Sequence, residues 1–138
     1  MDKALNYLAL AKKGRLIELG EEPVGAITRA VKGRLVIVAA DASDHTWRRA
    51  KSFVAGTDQQ CLRVPFSKEE LGFVVGRSSL AIAAFTDAAM ALAFVKALPD
   101  QEKVKEVRET LDAKSKKLRQ RKDEAKAHER NVRMGKKK

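Results

Sequence analysis

Two uninterrupted apolar runs, Leu35–Ala40 and Leu80–Phe85, constrain this chain more than any other feature. Each is too short for a packed helix. The first has Val36, Ile37 and Val38 at its centre, residues whose branching at Cβ favours a pleated strand. A strand with one wet face alternates apolar with polar residues, whereas a strand apolar at every position is covered on both faces. Two such strands call for helices above and below one sheet.

The flanking segments supply those helices. Asp2 is placed to cap a first one, in which Met1, Ala4, Leu5, Leu8 and Ala11 form one stripe. Lys12 and Lys13 fall in its last turn, and Gly14 reads as its stop. Leu16–Leu19 reads as a short strand. Gly20–Pro23 introduces a second helix, with Val24, Ile27 and Val31 on one face and Gly33 at its end. Asp41–Asp44 offers caps for a third. There Trp47, Ala50 and Val54 line the apolar face, Arg48, Arg49 and Lys51 the wet one, and Gly56 closes the helix.

Cys61–Val64 is another strand, ended by Pro65. Ser67 and Glu70 have capping-box spacing ahead of Leu71, Val74 and Val75, and Gly76 follows. Thr86 or Asp87 caps a last domain helix carrying Met90, Ala91, Phe94 and Leu98, before Pro99. The expected fold is α/β: a three-layer α/β/α sandwich around a small four-stranded mixed sheet, over residues 1–99.

Residues 100–138 differ. Positions 100–132 lack Gly and Pro and are rich in Lys, Glu, Arg and Ala, which favours a helix. Val104, Val107, Leu111 and Leu118 make a stripe that Lys114 and Arg121 interrupt, which argues against a long coiled coil. Residues 135–138 read as disordered. The net charge is +11, and it is uneven: residues 1–99 hold 14 Lys and Arg against 10 Asp and Glu, residues 100–138 hold 15 against 8. A basic chain of this kind favours polyanions.

Other classes are poorly supplied. Cys61 is the one cysteine, so no intrachain disulfide forms, and its apolar surroundings suit an unreactive buried thiol. His45 and His128 have no companions for a metal site, and no Ser, Cys or His has a partner set for nucleophilic catalysis. Asp41 and Asp44 are better explained as caps than as an acid–base pair. Neither an enzyme nor a cofactor is expected. No leader opens the chain, and no apolar run approaches the roughly 18 residues of a membrane span. The expectation is a monomeric cytoplasmic protein without membrane contact.

Several segments, in order and spacing, carry a resemblance. They are Ala9–Ala11–Gly14 with Gly20–Glu21–Glu22, Leu35–Ala40 followed by Asp41–Ala42–Ser43, Ser67–Gly72 with Gly76, and Ala81–Asp87. Over about residues 3–98 the chain resembles the kink-turn-binding ribosomal protein family (the L-seven-ae, L-thirty-e, S-twelve-e and Gadd-forty-five type), and is most similar to its short bacterial members. The resemblance implies an α/β/α sandwich without catalysis. It also implies binding of RNA that bends sharply at an internal loop with sheared G·A pairs. The family grips that RNA with a loop of the form Gly-x-Asn-Glu-x-x-Lys and with a second loop before the last strand.

Carried onto this chain, the first loop keeps Gly20 but has Glu22 for Asn, Pro23 for Glu and Ala26 for Lys. The second is Gly76–Arg77–Ser78–Ser79–Leu80. A helix start normally attracts phosphate through free N–H groups. Glu21 and Glu22 oppose that, although a carboxylate also accepts hydrogen bonds from a guanine edge. Those two residues thus read either as favourable charge at a helix start or as base contacts. Arg29, Lys32 and Arg34 read either as a solvated face or, with Arg77, as one positive rim for phosphates.

Trp47 and Tyr7 read as packing residues, and aromatics are too few for a single-strand stacking platform. Between Lys114 and Lys122 the cations Lys114, Lys116, Lys117, Arg119, Arg121 and Lys122 meet no acidic residue. They suit salt-sensitive backbone contact with RNA. Binding to a membrane surface is the weaker polyanion reading, because the tail lacks a broad apolar face. The functional expectation is an RNA-binding, ribosome- or rRNA-associated protein. The alternative is a protein–protein adaptor on the same fold.

Overall fold

The computed structural model describes residues 2–134, with side chains to Ala127. Met1 and the expected disorder of residues 135–138 lie outside the described residues. The elements run α1 (Lys3–Lys13), β1 (Ile17–Leu19), α2 (Glu21–Arg29), β2 (Leu35–Val38), α3 (Asp44–Val54), β3 (Gln60–Arg63), α4 (Lys68–Val74), β4 (Ile82–Phe85), α5 (Ala88–Lys96) and α6 (Lys105–Met134).

The sheet order is β1-β4-β2-β3, so the two all-apolar runs supply its central strands; every residue of β2 and β4 is buried, whereas Ala40, past the end of β2, is exposed. β2 and β3 are parallel, joined by the α3 crossover, while β4 is antiparallel to β1 and β2. The sheet is therefore mixed, as expected. α2 and α3 pack on one face; α1, α4 and α5 pack together on the other, with α6 against α5 and β3. Phe85 and Phe94, both fully buried, meet across the sheet–α5 interface with ring centroids 5.1 Å apart. Truncating either to Ala would cost about 3–5 kcal/mol.

The caps follow the sequence closely. Asp2, Ser43 and Asp87 each accept from the backbone of their helix, and Ser67 with Glu70 forms the full reciprocal box. The helix ends differ. Gly14 has an ordinary φ of −84°, and the left-handed residue that ends α1 is Arg15, at φ 59°. Arg15 N–H donates to Lys12 and Leu16 N–H to Ala11, which satisfies the last carbonyls.

α2 closes the same way with Val31 at φ 56°, four residues short of the expected reach. Val31 is consequently half exposed, and Thr28 and Gly25 take the buried face instead. Gly33 serves a different purpose. Its N–H donates to Gln59 Oε1 at 2.8 Å, and a Cβ there would lie 2.9 Å from that oxygen. Gln59, buried, also donates to the carbonyl of Thr28.

α6 is not a free tail at its start. Val104 and Leu111 belong to the same core as the sandwich, and Lys114 pairs with Asp58. At 1.5 Å per residue its 30 residues span about 45 Å.

Candidate nucleic-acid interface

Backbone register defines two ends of the sheet. Ile17, Phe85, Leu35 and Gln60 form one row across it; Leu19–Ala83 and Val38–Ile82 lie toward the other end. The β1–α2 turn and the α4–β4 loop meet at this second end.

Gly20 is the N-cap of α2 with φ 99° and ψ 159°, a conformation open only to glycine. Its N–H donates to the carbonyl of Ile82 at 2.9 Å, which ties the turn to the head of β4. A Cβ on Gly20 would stand 3.7 Å from Arg77 Nη1. Gly72 fixes the opposing loop: a Cβ there would lie 2.8 Å from both Arg77 O and Ser79 N, so the loop rests directly on α4. Gly76, at φ 77°, closes α4, and Arg77 N–H returns to Gly72 O at 2.8 Å. Gly20, Glu21, Glu22, Arg77, Ser78 and Ser79 are thus gathered at one end.

The electrostatics there are mixed. Glu21 pairs with Arg49 of α3, Nε to Oε1 at 3.3 Å, so one of the two carboxylates is offset by a residue read from sequence as merely wet. Glu22 has no ion pair among the described residues. Pro23 sits at the third helical position, within the first turn, where its missing N–H is harmless. Beside the loop, Asp41, Lys68, Glu69, Phe73 and Arg77–Ser79 line a concavity of about 530 Å³. Phe73 is 77% exposed. Sequence reasoning missed it; the available signal was its place one residue off the stripe of Leu71 and Val74.

The single positive rim of Arg29, Lys32, Arg34 and Arg77 does not form. Arg34 N–H donates to Phe85 O, at the far end of β4 from Arg77. The strands between them span about 13 Å. Arg29 folds over Gly25 toward Phe53, and Lys32 lies in the α2–β2 turn. These three belong to the opposite end of the sheet.

In α6, Lys114 is engaged by Asp58, and Lys116 pairs with Asp112 at 3.1 Å. Lys117, Arg119, Arg121 and Lys122 form no ion pair among the described residues. Trp47 is half-buried, with Lys51 and Arg63 over its ring at 5.6 and 5.2 Å. Burial pushes the Cys61 thiol up to about 11 against the opposing Lys51 charge. No group of three or more potential metal ligands occurs among the described residues, and no described helix is long and apolar enough to cross a membrane.

No family model matches the chain. Among solved structures, two that share its fold are similar over most of the chain. A protein of unknown function from Bacillus halodurans aligns at TM-score 0.67 and 23% identity, covering 72% of this chain and all of that one. The Giardia lamblia 15.5kD RNA binding protein aligns at TM-score 0.57 and 19% identity, covering 69% of this chain and 81% of that one. In sequence, the chain is 32% identical over 75 residues to RNA-binding protein YlxQ of Enterococcus faecium, a match over 54% of this chain and 72% of that protein. Identity of that extent shows that the chain belongs to the family of YlxQ, within the L-seven-ae-like group that its segments resemble.

Proposed function

We propose that this protein is a non-enzymatic RNA-binding protein that recognises structured RNA and associates with rRNA or the ribosome. The observation that carries the reading is the meeting of Gly20 with Arg77, which brings two sequence-distant loops into one surface. The names of YlxQ and of the Giardia protein support RNA as the ligand class. Glu22 accepts hydrogen bonds from an exposed guanine edge, Arg77 holds a phosphate, and Phe73 stacks on an unpaired base. A stacked base is worth about 1–3 kcal/mol. The α6 cations add contacts to the RNA backbone.

The preferred target is a kink-turn or a similar internal loop. The test is fluorescence binding of the full chain to a kink-turn RNA and to a plain duplex of equal length. Preference for the kinked RNA supports the reading, and equal affinity removes it. Replacing Lys117, Arg119, Arg121 and Lys122 by Gln is expected to flatten the salt dependence on both RNAs. The adaptor alternative draws on the 77% exposure of Phe73; failure to bind rRNA at moderate salt selects it.

A further inference from the structure

The two ends of the sandwich differ in charge. At the Gly20 end Glu21, Glu22, Asp41, Asp44, Glu69 and Glu70 are interspersed with Arg49, Arg63, Lys68 and Arg77. At the other end the turn after α1 brings Lys12, Lys13 and Arg15, all exposed, and the turn after α2 brings Lys32 and Arg34. Backbone bonds make these turns neighbours: Thr86 N–H donates to Leu16 O at 2.9 Å, and Arg34 N–H to Phe85 O at 2.7 Å.

α6 reaches the same end. Arg119 and Lys122 share a cleft of about 210 Å³ with Asp87 at the start of α5. Of the carboxylates there, Asp58 is engaged by Lys114 and Asp87 caps α5. None of the cations of the two turns forms an ion pair among the described residues.

We propose that this end, formed by the α1–β1 and α2–β2 turns with the adjoining part of α6, is a second RNA-binding surface that grips the phosphate backbone. It is independent of the Gly20–Arg77 face, and it rests on the reading of the protein as an RNA binder. Clustered cations that among the described residues form no ion pair and have no exposed aromatic side chain beside them suit backbone contact rather than base reading. A protein partner would more often be met by an aromatic anchor. The chemistry is thereby divided: the mixed-charge Gly20 end supplies acceptors for base edges, and the basic end supplies most of the phosphate affinity.

The experiment uses the full chain with Lys12→Gln, Lys13→Gln and Arg15→Asn combined, Asn being tolerant of the left-handed backbone at position 15. Affinity for a kink-turn RNA, a plain RNA duplex and polyglutamate is measured across a salt series. Expected is a loss of about tenfold or more on both RNAs, a slope of log K against log salt shallower by about 2–3, and an unchanged ratio between the RNAs. Unchanged affinity and slope, with the wild type binding RNA, overturn the second surface and leave the RNA reading standing. A wild type that binds neither RNA overturns both. Loss of polyglutamate binding alone assigns the surface to an acidic protein and overturns the proposal. Should the triple variant unfold, Lys32→Gln with Arg34→Gln carries the same expectations.

Discussion

Arg49 of α3 reaches Glu21 at the first position of α2, Nε to Oε1 at 3.3 Å, and so offsets a carboxylate that would face an incoming phosphate. Both partners are about half exposed, so the pair adds under about 1 kcal/mol to stability. Its larger effect is on the candidate interface. Arg49→Ala is expected to leave thermal stability nearly unchanged and to weaken RNA binding about threefold. Glu21→Gln is expected to strengthen it by a similar factor. Parallel melting and binding titrations check both, and an Arg49 variant that binds as the wild type does would separate this pair from the interface.

Gly72 makes the sharpest structural demand. With backbone atoms of the Arg77–Ser79 loop 2.8 Å from a would-be Cβ, Gly72→Ala must displace that loop or α4. Overpacking of this kind costs about 1–3 kcal/mol. Denaturant unfolding measures the cost, and any preference for kinked RNA is expected to fall with it.

Val31 occupies a left-handed conformation at φ 56° that a β-branched residue adopts at a cost of roughly 1–2 kcal/mol. Since its side chain is half exposed, little packing is lost on replacement. Val31→Asn or Val31→Gly is expected to raise stability by about 1 kcal/mol, read as a higher denaturation midpoint.

With its pKa raised to about 11, Cys61 is almost wholly protonated at pH 8, about one part in a thousand being thiolate. An aromatic disulfide reagent is expected to react slowly with the native protein and fast once it is unfolded. Rapid labelling of the native state would contradict the partial burial that raises the Cys61 pKa.

The Asp58–Lys114 contact links α6 to the α3–β3 loop, and it holds the Asp58 carboxyl below its ordinary range, first through the hydrogen bond from Lys114. A carboxyl depressed in the folded state contributes stability that is present above its unfolded pKa. That contribution is lost as pH falls through the folded pKa. Asp58→Asn is expected to lower stability slightly at neutral pH, where the contribution is present, and to leave it nearly unchanged at acid pH, so that melting curves from neutral to acid pH show a flatter dependence.

Much of this architecture is legible in the residues. All-apolar strands announce a sheet centre because no polar side chain is there to meet water, and β2 and β4 obey. Ser67 and Glu70 specify a helix start through bonds that only their spacing permits. Helix ends are harder to read. Gly14 invites the left-handed position, yet tertiary packing assigns it to Arg15, and Val31 shortens α2 against its own propensity. Interfaces are harder still. Arg29, Lys32 and Arg34 are near Gly20 in sequence, but a nine-residue helix carries them to the far end of the sheet, where chain order says nothing of neighbours. Exposure of Phe73 likewise follows from which face α4 turns to α1.

Segregated charge also has a kinetic side. In the field of a polyanion a body whose unpaired cations crowd one end experiences a torque before it makes contact. That torque acts within a Debye length of about 8 Å at physiological ionic strength. Arg15 and its neighbours therefore swing inward and lead the approach, while Glu22 trails. The encounter is oriented rather than random, and the face around Gly20 arrives unoccupied, turned toward whatever the captured strand folds back to present.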